Sequence, residues 1–265
     1  MPPARKRPRA YDPARTRTAV LTQFRHVREA VRGLDDGHLA LPTRLGDWTV
    51  RQLAAHIALT VTSVSRALQR EEPARAAMTL LDYPASTAAS GGSVADRTRR
   101  LAEAEPDLDA LYARTEDEVT GLLAAAPESR VLDLPAGAMT LTDFLVTRTV
   151  ELVVHTDDLN TAVPDLEIPY DRQALAAGTR MLADTLAAKA PGGATEVRIP
   201  PYAVVQCLAG PRHTRGTPPN VVETDPLTWL RLATGRSTWP EALDAAKVSA
   251  SGERADLSAL LPLMR

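Results

Sequence analysis

The segment Glu151-Leu-Val-Val-His155 sets a carboxylate and an imidazole four residues apart. On a helix such residues share a face, with Cβ atoms about 5–6 Å apart, close enough to meet one metal ion. Their row flanks an apolar stripe containing Leu145 and Leu152, which places both groups at the margin of a helical interior where neither is left without a partner. His56, beside a second apolar stripe and flanked by Leu53 and Thr60, offers a third ligand. Two imidazoles and one carboxylate with a fourth position open form the ligand set of catalytic rather than structural zinc sites. The same spacing also serves an ordinary charge-assisted helix pair, and a single histidine beside a stripe is a common core residue. Spacing by itself leaves both readings open.

Asp158, three residues after His155, is placed either to orient that imidazole from behind or to act as a helix-end charge. Arg236 follows Gly235 and is the candidate catalytic residue, with reach toward an anionic substrate; solvent is its alternative. Arg231 is a weaker version of the same idea. Cys207, the single cysteine, excludes an intramolecular disulfide and reads as a buried strand residue, and nothing pairs it with the nearby His213 as a nucleophile. The Gly-Gly pairs at 91–92 and 192–193 do not match a phosphate-binding loop.

Helical periodicity must carry these groups. Val20, Phe24, Val27, Val31 and Leu34 alternate in steps of four and three and predict a helix over 15–34. A turn-rich loop through Gly46-Asp47 leads to a second helix with the stripe Val50, Leu53, Ile57, Val61, Val64 and Leu68, capped by Asp47 or Thr49. Residues 71–92, with Pro73, Pro84 and Gly91-Gly92, read as a long loop or lid. A third helix spans 93–126 with Pro106 as a kink or restart, and Thr140-Leu-Thr-Asp143 opens a fourth through Leu145, Arg148, Leu152, His155 and Leu159. These four predict a helix bundle.

Beyond Val163-Pro164 the pattern changes to a helix over 171–189, strands at 196–199, 203–208 and 220–223, and a helix opened by Asp225-Pro226. Residues 239–246, 247–251 and 254–263 then read as helix, strand and helix, an α+β arrangement. The expected division is a basic flexible tail at 1–14, a four-helix bundle at 15–163 and a smaller α+β domain at 164–265.

Composition bounds the function classes. Of 265 residues, 44% are hydrophobic and 24% charged, which excludes general disorder. No apolar run approaches the roughly 20 residues that span a bilayer, and the basic start Met1–Arg9 leads into no signal-like segment, so a cytoplasmic protein without membrane contact is expected. The net charge of −2 conceals a basic start, with Arg5, Lys6, Arg7, Arg9, Arg15 and Arg17 opposed by Asp12 alone before residue 18. The remainder is acidic, and no nucleic-acid partner is expected.

Two stretches, Gly46-Asp-Trp-Thr-Val-Arg-Gln-Leu-Ala-Ala-His56 and Val150-Glu-Leu-Val-Val-His-Thr-Asp-Asp-Leu159, resemble the mycothiol-dependent maleylpyruvate isomerase family of DinB-like metal-binding bundles. The run Arg215–Arg236, with Val248–Gly252 and Leu260–Leu263, looks like the sterol-carrier-type domain that bacterial members attach to the bundle. What the resemblance implies is a divalent metal, zinc in the first instance, held by His56, Glu151 and His155, and mycothiol, a low-molecular-weight thiol of actinobacteria, as cofactor. The arginine-heavy composition, with lysine only at Lys6, Lys189 and Lys247, agrees with such a source. The implied activity is a transferase or isomerase acting on a small electrophilic substrate. A non-enzymatic binding protein with a structural metal and a metal-dependent hydrolase are the alternatives.

Overall fold

The computed structural model describes residues 9–87, 91–210 and 218–264; the first eight residues of the expected tail, and His213, lie outside them. Helix α1 (Pro13–Arg32) begins where the Asp12 carboxylate accepts from Arg15 N and a proline occupies the first turn. One short helical turn, α2 (Asp36–Leu39), interrupts the turn-rich loop before α3 (Val50–Leu68). Thr49 is the α3 cap: its hydroxyl accepts from Gln52 N while the Gln52 side chain accepts from Thr49 N.

The long loop expected over 71–92 is partly helical. A 3-10 turn at Leu80–Asp82 runs into α4 (Tyr83–Thr87). The single helix expected over 93–126 is two, α5 (Gly91–Ala104) and α6 (Leu108–Ala125), because Pro106 has no N–H to continue the first and Asp107 caps the second. A two-stranded antiparallel pair, β1 (Val131–Leu132) and β2 (Met139–Thr140), delivers the chain to α7 (Leu141–Ala162).

Helices α1, α3, α6 and α7 form the expected bundle around Phe24, Leu53, Ile57, Tyr112, Leu145 and Leu152. Tyr112 knits it: the ring stacks on Phe24 with centroids 4.8 Å apart and the hydroxyl donates to Ala54 O. Helix α8 (Arg172–Lys189) follows, then β3 (Thr195–Ile199), β4 (Ala203–Cys207), β5 (Val221–Thr224), α9 (Pro226–Ala233), α10 (Trp239–Asp244) and β6 (Val248–Ser251). The strands make one sheet in the order β4-β3-β5-β6, antiparallel except for β3 beside β5. Cys207 is buried in β4, as expected, and burial raises its thiol to about 11.

The helix expected over 254–263 is reduced to a 3-10 turn at Ser258–Leu260. Pro262 disfavours helical backbone at Leu261, and the segment is instead pinned by Leu263 N and Met264 N donating to Ala233 O. No helix among the described residues is long and apolar enough to cross a membrane.

Helix α7 belongs to two cores at once. Leu145, Leu152 and Leu159 face the bundle, whereas Val146, Val150, Val153 and Val154 pack with α8, the sheet and Trp229. Leu145→Ala and Val153→Ala are therefore expected to shift one common urea transition, the first by about 2–5 kcal/mol; two separable transitions would contradict a shared helix. A pH effect follows from Glu116 of α6, which is clamped by Arg25 and Arg28 of α1 at 2.5 and 3.0 Å. Burial opposes ionisation there, but the two guanidinium hydrogen bonds outweigh it and hold the carboxyl below its ordinary range. Its contribution, about 1 kcal/mol or less for so exposed a pair, is present above the unfolded carboxyl pKa and fades as pH falls through the lower folded value. Glu116→Gln is expected to remove that part of the acid sensitivity of the melting curve.

Candidate metal centre

Thr49 starts α3 so that His56 enters the bundle two turns later, and Thr140 starts α7 so that Glu151 and His155 come to face it. One ligand atom from each of the three lies within 4.8 Å of the others. His155 Nε2 stands 3.3 Å from Glu151 Oε2, and the two imidazole rings meet edge to face with centroids 4.7 Å apart. An ion with tetrahedral bonds of about 2.0–2.2 Å holds its ligand atoms roughly 3.4 Å apart, so the donor set suits zinc in type; His155 and Glu151 already stand at that separation, and His56 is the donor left to close in. The three side chains line a cavity of about 360 Å³.

The partners behind the two imidazoles differ in what they fix. His155 Nδ1 is 2.9 Å from Asp158 Oδ2, so Nδ1–H donates to that carboxylate and Nε2 is left for a metal. His56 Nδ1 lies 3.4 Å from Thr98 Oγ1 of α5, and Trp48 packs against its ring. Burial, then the charge of neighbouring His155, lowers His56 to about 3, which keeps it a neutral ligand. Burial also pulls against a charged His155, yet the hydrogen bonds to Asp158 and Glu151 prevail and raise it. Both carboxyls sit far below their usual range despite burial: Glu151 through His155 and Arg148, and Asp158 through His155 and Arg236.

Asp158 thus lies directly behind His155, the first of the two placements its spacing allowed. Arg236 lines the same cavity, but its three nitrogens are engaged, Nε and Nη2 with Asp158 and Nη1 with Thr234 O. Arg231 sits on Asp157 through Nε at 2.9 Å and Nη2 at 2.5 Å. Arg44, from the loop before α3, bridges both carboxylates at 2.5 Å. Cys207 is not among the groups gathered here.

Sequence reasoning missed Arg44, Arg148 and Tyr83. Tyr83 OH donates to Glu151 Oε1 at 3.1 Å and accepts from Arg148, a buried residue whose guanidinium also lies 4.6 Å from the Phe144 ring centroid. The one available signal was an arginine at an interior position of the fourth helical stripe, where a charge demands a partner.

The profile of the mycothiol maleylpyruvate isomerase N-terminal domain matches residues 20–160, and that of the bacterial SCP ortholog matches residues 171–263. The chain therefore belongs to the mycothiol maleylpyruvate isomerase N-terminal domain family, with an SCP-ortholog domain following it. Two solved structures share the fold: the mycothiol-dependent maleylpyruvate isomerase (TM-score 0.58) and its mutant with one histidine replaced by alanine (TM-score 0.60). Each is 15% identical, with 93% of this chain and 95% of that chain covered. No curated protein sequence matches the chain significantly.

His155→Ala is expected to abolish stoichiometric divalent metal in elemental analysis of purified protein, and Asp158→Asn to weaken zinc affinity about 10–100-fold. Acid should strip the metal from the parent, because its ligands bind only when deprotonated. Unchanged metal content in the His155→Ala protein would show that the ion sits elsewhere.

Proposed function

We propose, proceeding from that family membership, that the chain is a metal-dependent enzyme using mycothiol as cofactor or co-substrate, a transferase or isomerase acting on a small electrophilic substrate. The observation that carries this is the buried convergence of His56, Glu151 and His155 on one wall of a cavity large enough for a small ligand. Zinc is the metal the donor set favours. A divalent ion bound there would hold the sulfur of a thiol as its thiolate near neutral pH, where a free thiol of pKa about 8.5 is mostly protonated.

The chain's own residues supply the rest. His56 and Glu151 present unprotonated donor atoms, and Asp158, braced by Arg44 and Arg236, keeps the Nε2 of His155 aimed at the site. Leu59, Val150 and Val154 in the wall would limit water around a thiol held there. With Arg236 held by Asp158, Arg66, Arg70, Arg97 and Arg148 still outnumber Asp133 and Glu151 in that wall and favour a substrate with negative charge. Arg236, at the seam between the bundle (15–163) and the second unit (164–265), is the residue read as acting on the substrate or thiol. A cytoplasmic setting, where thiols stay reduced, completes the reading.

The test is calorimetry of mycothiol binding to metal-loaded and metal-stripped protein, with proton release followed across pH. Binding is expected only to the loaded form, with about one proton released per thiol bound. Arg236→Ala, which unbraces Asp158, should weaken zinc less than Asp158→Asn does and lose about tenfold or more in thiol or substrate affinity, the worth of a charge-assisted hydrogen bond. Equal affinity in both forms would reject thiol activation and leave the hydrolase or binding-protein reading.

A further inference from the structure

A metal-ligating carboxylate has two oxygens, and the protein must decide which one the metal receives. Around Glu151 the two are in different surroundings. Oε2 stands 3.3 Å from His155 Nε2, on the side of the imidazoles, while Oε1 is 3.1 Å from the Tyr83 hydroxyl. Arg148 Nη2 donates to that hydroxyl, and a guanidinium has no acceptor to offer in return. The Tyr83 oxygen is thereby committed as acceptor toward Arg148, and its single hydrogen is free to go to Glu151 Oε1. Arg148 is itself fixed, with Nε on Thr147 Oγ1 and its guanidinium over the Phe144 ring. The chain Arg148 to Tyr83 to Glu151 has one direction only.

We infer that Tyr83 is a positioning residue for the metal centre: it occupies Glu151 Oε1, leaves Oε2 as the single ligand oxygen, and so keeps the site three-coordinate in protein atoms with room for an exogenous ligand. This rests on the metal-dependent reading above and adds to it a residue from outside the four bundle helices. Tyr83 sits at the start of α4, in the segment between α3 and α5. That segment is secured independently of the metal by Ala77 N and Met78 N on Ala138 O and by buried Leu80, so the tyrosine is presented from a fixed base. Without the Tyr83 hydrogen bond, Oε1 would be free to enter the coordination shell beside Oε2 and fill the position a thiol needs.

Tyr83→Phe tests this while keeping the ring. The measurements are zinc affinity by chelator competition and the visible absorption of the cobalt(II)-loaded protein, whose band intensities report coordination number. Ser86→Ala is the control, since Ser86 lies on the same short helix and lines the same cavity, its hydroxyl donating to Tyr83 O. The expected result is a zinc affinity lowered about 10–100-fold in Tyr83→Phe, with weakened cobalt bands marking an added ligand and a metal-free melting temperature lowered only by the loss of the Tyr83 hydroxyl as partner of Arg148. Ser86→Ala should match the parent in all three. Affinity within twofold of the parent and an identical cobalt spectrum would overturn the inference, as would an equal loss in Ser86→Ala, which would trace the effect to the segment's packing. A parent chain that takes up no zinc overturns both this inference and the proposed function; a parent that binds zinc with Tyr83→Phe unchanged overturns this inference alone.

Discussion

Charge inside an apolar environment is tolerated only when it is paired, and helix α7 runs between two hydrophobic cores. Along one stretch it carries Arg148, Glu151, His155, Asp157 and Asp158, with Asp158 fully buried and His155 only 7% exposed. Arg148, Glu151, Asp157 and Asp158 each have a partner held by another element, and His155 pairs with Glu151 and Asp158 on α7 itself. Arg148 meets Tyr83 before α5, Glu151 meets Tyr83 and His155, Asp157 meets Arg231 and Tyr170, and Asp158 meets His155, Arg44 and Arg236. The pairing that makes the helix tolerable also sets the orientation of the two α7 ligands in the cavity.

One consequence is that the elements after α8 brace the candidate site without adding to its three donor side chains. Arg236 follows α9, braces Asp158, and through it fixes the ring of His155. Arg231 does the same for Asp157, so the sheet and its helices hold α7 in rotation as well as by apolar contact. Such a network costs desolvation that its ion pairs only partly return, which makes it a device for geometry rather than a source of stability.

Much of this was legible in the sequence because periodicity reports packing faces. The four-and-three spacing of Val20, Phe24, Val27 and Val31 identified α1, and Glu151 with His155 was readable as a pair from the four-residue step alone. That step could not distinguish a metal site from a plain ion pair; the resemblance to a known family supplied the difference. Tyr83 was hidden because α4 is a five-residue helix after an aperiodic stretch, and its placement is decided by Leu80 packing and the hydrogen bonds to Ala138. Pro106 was visible as an interruption, but only Asp107 acting as a cap makes it a full restart. The C-terminal Leu-Leu-Pro-Leu carried helical hydrophobicity, yet Leu263 N and the following Met264 N donate to Ala233 O, a contact no local pattern encodes.

The central claim is that His56, Glu151 and His155 together hold one metal ion whose remaining position receives a thiol. Zinc-edge X-ray absorption of the loaded protein, recorded before and after mycothiol is added, addresses it most directly. The account predicts a shell of nitrogen and oxygen neighbours with imidazole scattering and no sulfur, gaining one sulfur neighbour when the thiol is present. A shell without imidazole scattering, or one that gains no sulfur from saturating mycothiol, would contradict it.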